Sequence, residues 1–448
     1  GRKTFADDFD FSFNVGNEIV DISSKNVEVV GKTLGIRDLK NISNASVVTG
    51  SANSNFRRLV GVFGDATIGY KGFATLNVTG RNDFSCAFGE DENSYFYPSV
   101  AGSFIVTEAF PSVKNSIIEF AKIKANYAKV GKEAPAYSTN TYFVQGQASD
   151  GFGPIINFPY NGLGGRSLSN SAGDPNLRPE FTTSKEIGLE MQFLKNRLGF
   201  EANLYQTNST DLIFAVPISG SSGFTSQTKN AGSMRNKGIE LLVTATPLKT
   251  SNFNWDISFN FNRNRSEVLE LANGVPNIFL AGFVTPNVRL EAGEPYGVIN
   301  GSVFKRNEAG QLLIDANGKP TVDPITTTIG NTNPDWTGGI MNNLNFKGVN
   351  FSFLIDIRKG GDVYSRNVGD MRRSGVLKES AEFDRFNADG TVATPYVFEG
   401  VKADGSPNTT GLSAQDYFTT LHTAAESYIF DATWVRLREA SISYALPS

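Results

Sequence analysis

The chain has 448 residues, with 41 Lys and Arg against 45 Asp and Glu, giving a net charge of −4. That near balance carries no polybasic signature for nucleic acid. A single cysteine, Cys86, excludes an intrachain disulfide and a cysteine-based metal cluster, and a single histidine, His422, excludes the usual histidine-based catalytic and metal constellations.

No stretch approaches the roughly 18 uninterrupted apolar residues of a transmembrane helix. The opening "GRKTFADDFD" has no apolar core of a signal peptide, which leaves export open for a chain that begins inside a longer protein. A mean hydropathy of −0.22 suits a soluble protein, and equally a membrane barrel in which half of each strand is polar.

Along the chain the main signal is apolar alternation. "VGVFGDATIGY" puts Val60, Val62, Ala66, Ile68 and Tyr70 on one face. "ATLNVTGRND" sets Ala74, Leu76 and Val78 against Thr75, Asn77, Thr79, Arg81 and Asp83. "AKIKANYAKVG" follows the pattern less strictly. In "EIGLEMQFLKNRLGFEANL", Ile187, Leu189, Met191 and Phe193 oppose Glu186, Glu190 and Gln192. After "LKNR" the phase resumes, with Leu198, Phe200, Ala202 and Leu204 against Glu201 and Asn203. "GIELLVTATPL" is looser. "NWDISFNFN" sets Trp255, Ile257, Phe259 and Phe261 against Asp256, Ser258, Asn260 and Asn262. "GVNFSFLIDIRKG" sets Val349, Phe351, Phe353, Ile355 and Ile357 against Asn350, Ser352, Asp356 and Arg358. Period two predicts β-strands, each with one apolar and one polar face. About a dozen such strands, many of roughly 9–12 residues, match the length that crosses a bilayer at a barrel tilt.

The connections alternate in length. Tight turns are expected at Lys71-Gly72, Leu194 to Arg197, Lys249 to Asn252 and Lys347-Gly348. Long loops rich in Gly, Ser, Asn, Pro and aromatics are expected at about 25–55, 131–181, 206–236, 266–337 and 359–432. Short turns at one end and long loops at the other are the outer-membrane barrel pattern. Tyr70, Phe73, Phe193, Phe200, Phe253, Trp255, Phe346 and Phe351 crowd the tight turns, as an interfacial girdle would. Periodicity by itself also admits soluble sandwiches and propellers, whose solvated sheet faces carry the same residues.

Several longer stretches resemble the SusC/RagA family of TonB-linked outer-membrane transporters of Bacteroidota. They are Arg57 to Phe110 with its "FPS" continuation, where Ser85-Cys86-Ala87-Phe88 stands for the family's "SSRF"; Asp174 to Phe193 ("DPNLRPEFTTSKEIGLEMQF"), where Arg178-Pro179-Glu180 replaces Lys-Trp-Glu; "NAGSMRNKGIEL"; and "GNTNPDWTGGIMNNLNFKGVNFSF". "GEPYGVINGSVF", "DANGKP" and "DATWVRLREASISYALP" complete the set. The resemblance implies an all-β, transmembrane antiparallel barrel of about 22 strands filled by a plug. It implies active import through TonB, with a SusD-like surface lipoprotein as lid, and no enzymatic chemistry or cofactor. The plug, a TonB box and the final strands are not recognised among these residues, so residues 1–448 are read as an internal section of a longer barrel. Cargo would be a polar oligomer, an oligosaccharide or a peptide. A passive porin or adhesion barrel, and a soluble β-rich glycan-binding protein, are the competing readings.

Candidate lumen-facing residues are Arg81, Asp83, Glu186, Glu190, Glu201, Asp256, Asn260, Asp356 and Arg358, together with Asp65, Lys122, Lys124 and Glu240. They could meet cargo or plug; they could also simply pair across strands in a wet wall. Loop aromatics Tyr137, Tyr142, Phe143, Phe152, Phe158, Tyr160 and Tyr364 could stack on cargo or partner, or pack the loops together. The loops also carry mixed charge: Arg166 and Asp174 in one, Arg372, Arg373, Glu379 and Glu382 in another. "DANGKPTVD" fails the EF-hand spacing and predicts a turn with Asn-Gly at its tip. "GLGG" follows no strand-to-helix pattern, so it is no phosphate loop. His422 near Glu426 has no partner set for catalysis.

Overall fold

The computed structural model describes residues 1–5, 8–148 and 156–446. Thirteen strands make the main sheet: β1 (Arg2–Phe5), β2 (Phe9–Leu34), β3 (Ala45–Tyr70), β4 (Ala74–Ser85), β5 (Ser94–Ile105), β6 (Ile118–Lys132), β7 (Glu180–Phe193), β8 (Leu198–Thr210), β9 (Gly232–Lys249), β10 (Phe253–Leu271), β11 (Trp336–Phe346), β12 (Val349–Lys359) and β13 (Trp434–Tyr444). Their order in the sheet is their order in the chain, an up-and-down meander. The quoted alternating segments all lie in these strands, and "LKNR" is the turn between β7 and β8. Among the described residues no helix is long and apolar enough to cross a membrane.

The residues fall into two compact units. The first holds 1–109, 124–185 and 207–233; the second holds 110–123, 186–206 and 234–448.

In the first unit, β2 to β5 pair antiparallel in strict register. Asn14 lies opposite Asp65, Asp65 opposite Thr79, and Thr79 opposite Ser99. One face therefore collects Asn14, Glu18, Asp65, Asn77, Thr79, Arg81, Asp83 and Tyr97. The other collects Phe9, Phe13, Val15, Ile19, Val62, Ile68, Leu76, Val78, Phe96 and Val100, and all ten of these are exposed. A soluble sheet buries its apolar face; here that face is bare, and Asp83 on the polar face is buried.

The tight turns have the backbone that a two-strand reversal needs. Lys347 and Gly348 both have positive φ, 46° and 84°, between Phe346 and Val349, which pair directly. That is the type I′ geometry whose twist matches the flanking strands, and Gly348 takes it without a Cβ penalty. Rings gather at these ends as expected. Phe9 and Tyr70 lie 4.7 Å apart, Tyr70 and Phe73 5.4 Å, and Phe73 and Phe104 5.5 Å between centroids.

One expected loop is not a loop. Residues of the segment at about 25–55 continue β2 and β3 as a two-stranded ribbon, 26 residues per strand, paired from Phe9–Tyr70 to Leu34–Ala45. Its Ser, Asn and Gly content reads as irregular, but an antiparallel partner directly opposite satisfies the backbone along its length. The other long connections carry structure of their own. Ile213–Pro217 pairs with Ser226–Asn230, and four short strands between Asn277 and Asn331 form a separate small sheet.

The buried clusters sit in these connections and at strand ends. In the first unit Phe88, Tyr95, Ala134 and Leu177 pack with Tyr97, Phe181 and Ile213. In the second Ile314, Phe398 and Leu412 pack with Leu312, Tyr417 and Leu421.

Candidate functional site

The polar face of the first unit is an ionic network. Arg81 Nε donates to Asp83 Oδ1 at 2.7 Å and Nη1 to Glu18 Oε2 at 3.0 Å, while the Tyr97 hydroxyl donates to Asp83. Gly61, directly opposite Asp83, makes room: a methyl there would fall onto the Arg81 guanidinium. Beside it, Asp65 takes amide donors from Asn14 and Asn77, each at 2.7 Å. A buried carboxylate is tolerable only with such partners.

The second unit repeats the arrangement with other residues. Register places Asp256 and Asn260 of β10 on one face with Asn343 and Gly339 of β11, and with Ser352 and Asp356 of β12. Asp256 accepts from Thr246 Oγ1 at 2.6 Å and from the Asn254 amide. Asp356 accepts from Arg438 at 2.6 Å and Arg436 at 3.2 Å. Arg358 Nη2 donates to the Thr332 carbonyl at 2.7 Å. Asn203 donates to Glu201 at 3.3 Å, and Asn262 to Glu240 at 3.2 Å. Glu186 and Glu190 lie on β7 in the same unit. The charged strand residues are thus mostly paired locally rather than gathered into one pocket.

The family-like motifs turn out to be clamps between connections. Asn230 of "NAGSMRNKGIEL" donates to the carbonyls of Arg178 and Asp211 at 2.8 and 2.7 Å, and accepts the Arg178 amide at 2.9 Å. Glu180 of "LRPE" holds Lys132 at 2.9 Å and the Ile213 amide at 2.8 Å. In "GNTNPDW", Asn333 donates to the Tyr296 carbonyl at 2.8 Å, and Asp335 accepts from Arg265 at 2.7 Å.

The loop aromatics divide between the units. Tyr137 reaches β3, where its hydroxyl accepts the Phe56 amide at 3.3 Å. Tyr142, Phe143 and Tyr160 are 50% or more exposed, so their rings are open to solvent. Phe152 lies outside the described residues. Tyr364, in the second unit, belongs to a short pair with Ile429–Asp431.

The connections 272–335 and 360–433 form a folded assembly that periodicity missed. Two helices stand in it, α1 (Arg366–Arg373) and α2 (Ala414–Leu421). Four copies of one turn close short loops, each bridged between residues six apart: Arg306–Leu312, Ile314–Pro320, Phe386–Val392 and Val401–Pro407. Each has a positive-φ glycine at its tip, Gly310, Gly318, Gly390 and Gly405. "NEAGQL", "DANGKP", "NADGTV" and "KADGSP" are the sequence signal for this repeat. Asp315 is a turn former, its Oδ1 accepting the amides of Asn317 and Lys319. Tyr417 stacks on Phe398 at 4.3 Å and on Tyr396 at 5.0 Å. Arg306 pairs with Glu426 at 3.0 Å, and Lys319 with Asp416 at 2.9 Å.

Electrostatics follow from these contacts. The hydrogen bond from Lys319, then that from Ser413, lowers the Asp416 carboxyl below its ordinary range. Burial raises the Tyr428 phenol to about 12. Burial, with the charges of Arg373 and Arg366 behind it, lowers His422 despite Asp370 at 3.8 Å. No group of three or more candidate ligands holds a metal site among the described residues.

Residues 2–351 match the family model described as TonB dependent receptor-like, beta-barrel. The chain is 28% identical over 460 aligned residues to TonB-dependent receptor P26 of Formosa agariphila, covering 97% of this chain and 43% of that protein. It is 23% identical over 357 residues to TonB-dependent receptor SusC of Bacteroides thetaiotaomicron, covering 72% and 34%. The fold matches a chain of the RagAB peptide importer in its closed-closed state with a TM-score of 0.75 at 20% identity, over all of this chain and 48% of that one. The chain therefore spans less than half the length of these relatives.

Proposed function

The chain belongs to the TonB-dependent receptor-like β-barrel family, in the SusC/RagA group of Bacteroidota outer-membrane proteins, and from that premise we propose that it supplies barrel wall and outer loops to an active importer of a polar oligomer. The cargo is an oligosaccharide or a peptide; the structural relative RagAB is a peptide importer. A SusD-like lipoprotein docks on the long loops, and TonB acts through a plug that these residues do not supply. The wall itself performs no covalent step. Outer-membrane lipid meets the apolar face, and Arg81, Asp83, Glu186, Glu190, Glu201, Asp256, Asn260, Asp356 and Arg358 line the wet side.

The observation that carries this reading is the inverted burial of β2 to β5. On β2 the exposed apolar residues of that face run from Phe9 through Phe13 and Val15 to Ile19, with Asn17 the one polar residue among them. Ten residue steps of about 3.4 Å, tilted by about 40°, span roughly 26 Å, the height of a barrel's apolar band. The next residue on that face after Ile19 is Asp21, whose carboxylate takes a two-pronged bond from Arg58 at 2.7 and 2.8 Å. A charge pair there suits the rim of that band. Passive passage would need neither a lid nor energy coupling.

The test uses the full-length protein in its own cell. Removing TonB should abolish uptake of the cognate oligomer; uptake that persists would favour a passive porin. Deleting residues 140–165 should abolish lipoprotein co-purification and uptake while the barrel still inserts. If partner and uptake both survive, the docking assignment fails.

A further inference from the structure

The outer loop assembly contains a cleft that the import reading does not by itself explain. It has a volume of about 430 Å³, within the usual ligand range of roughly 300–1,000 Å³. Three arginines line it: Arg372, Arg373 and Arg385. Among the described residues the lining holds no carboxylate. Its remaining wall includes Phe386, Phe418 and the first residues of α2.

The three guanidiniums are not equally committed. Arg372 is held by Glu379 and donates to the Ser427 carbonyl at 3.2 Å, so it is a structural post. Arg373 comes no nearer than 3.6 Å to Asp370, and its side chain is half exposed. Arg385 donates one long bond, 3.4 Å, to the Gly375 carbonyl. Each guanidinium carries five N–H donors in a planar fork, so Arg373 and Arg385 keep most of theirs for something else. Basic residues in the last turn of α1 also offset its dipole, which accounts for Arg372 and Arg373 in part. It does not account for Arg385, which comes from a separate loop twelve residues further on.

The start of α2 adds to the same wall. Ser413 caps the helix by accepting the Asp416 amide at 3.0 Å. The amides of Ala414 and Gln415 have no carbonyl within the helix to accept them. Asp416, the one acid in that turn, is already neutralised by Lys319.

We infer that this cleft binds an anionic sugar unit of the cargo, a uronate carboxylate or a sulfate ester, in an acidic oligosaccharide; this rests on the import reading. Arg373 and Arg385 take the oxyanion, and the exposed ring of Phe386 packs against the apolar face of the sugar. A carboxylate or sulfate matches the guanidinium fork in two-pronged geometry. An oligosaccharide is favoured over a peptide because the lining offers no carboxylate to a peptide's ammonium terminus and the exposed Phe386 ring to a sugar face.

Binding is measured by calorimetry on the full-length protein with its co-purifying partner. The probes are a hexuronate tetrasaccharide, a sulfated tetrasaccharide, the carboxyl-reduced neutral form of the first, and tetraglutamate. An acidic saccharide should bind about tenfold or more tighter than the neutral form, and lose that advantage in high salt. Arg385→Gln should cut acidic-saccharide affinity by about tenfold while leaving the neutral form unchanged, and Arg385→Lys should recover part of it. Arg373→Gln serves as a second variant should the first misfold. Equal affinity for acidic and neutral saccharides, or no effect of either glutamine variant, overturns the inference. Tighter binding of tetraglutamate than of both acidic saccharides also overturns it, in favour of an acidic peptide. TonB-independent uptake would instead sink the import reading while leaving these affinities as they are.

Discussion

Replacing Val78 by Arg separates a membrane wall from a soluble sheet. Val78 lies midway along β4, directly opposite Ala66 on one side and Val100 on the other, and is 45% exposed. In water, an exposed Val→Arg change costs no more than about 0.5 kcal/mol. At the middle of a bilayer the same change costs about 2–4 kcal/mol. The neighbouring position is the control. Asn77, on the opposite face, donates to Asp65 Oδ2 at 2.7 Å and to Thr67 Oγ1 at 2.8 Å. Asn77→Arg gives up those two bonds, each worth about 1 kcal/mol, but sets a guanidinium beside Asp65 that recovers most of the loss. The expected gap between the two variants is therefore about 2 kcal/mol, with Val78→Arg the worse. Urea titration of the full-length protein folding into phospholipid vesicles, followed by tryptophan fluorescence, reads it. If Val78→Arg costs no more than Asn77→Arg, the apolar face does not touch lipid.

Arg81→Ala leaves the buried Asp83 carboxylate without its main partner and should cost about 2–3 kcal/mol, whereas Arg58→Ala, breaking a solvent-screened exposed pair, should cost clearly less in the same titration; equal costs would refute the special role of the Arg81–Asp83 network. In a Cys86→Ser background, a membrane-impermeant maleimide on intact cells should label Ala388→Cys and spare Ser251→Cys, and the reverse pattern would invert the topology. His422 is held below its ordinary pKa, so the folded loops bind fewer protons than the unfolded chain; their stability is full above about pH 6.5 and falls as pH drops below it. Hydrogen exchange on Ala414–Leu421 at pH 7.5 and 5.5 should show faster opening at the lower pH, and His422→Gln should remove that difference.

The sequence by itself determined the strands, because alternation is local: every second side chain shares a face whatever lies beyond. Ile187 to Phe193, Trp255 to Phe261 and Phe351 to Ile357 declare their strands without a partner, and Lys347-Gly348 declares its turn through backbone that few residue pairs adopt. The family motifs were legible too, although their residues proved to be clamps such as Asn230 and Glu180 rather than a binding site. Alternation could not say which face is bare. That took the register of β2 to β5, which sets Phe13, Ala66, Val78 and Val100 in one row across the sheet and leaves Phe13, Val78 and Val100 exposed. Nor could it find the ribbon at 25–55, whose polar residues are strand only because each has an antiparallel partner opposite. The long loops were the least legible part. Arg372 and Arg385 share a cleft with the start of α2, some forty residues on, because the Phe398–Tyr417 packing folds the intervening chain back on itself. Contacts of that separation leave no period in the sequence, and only the folded chain decides them.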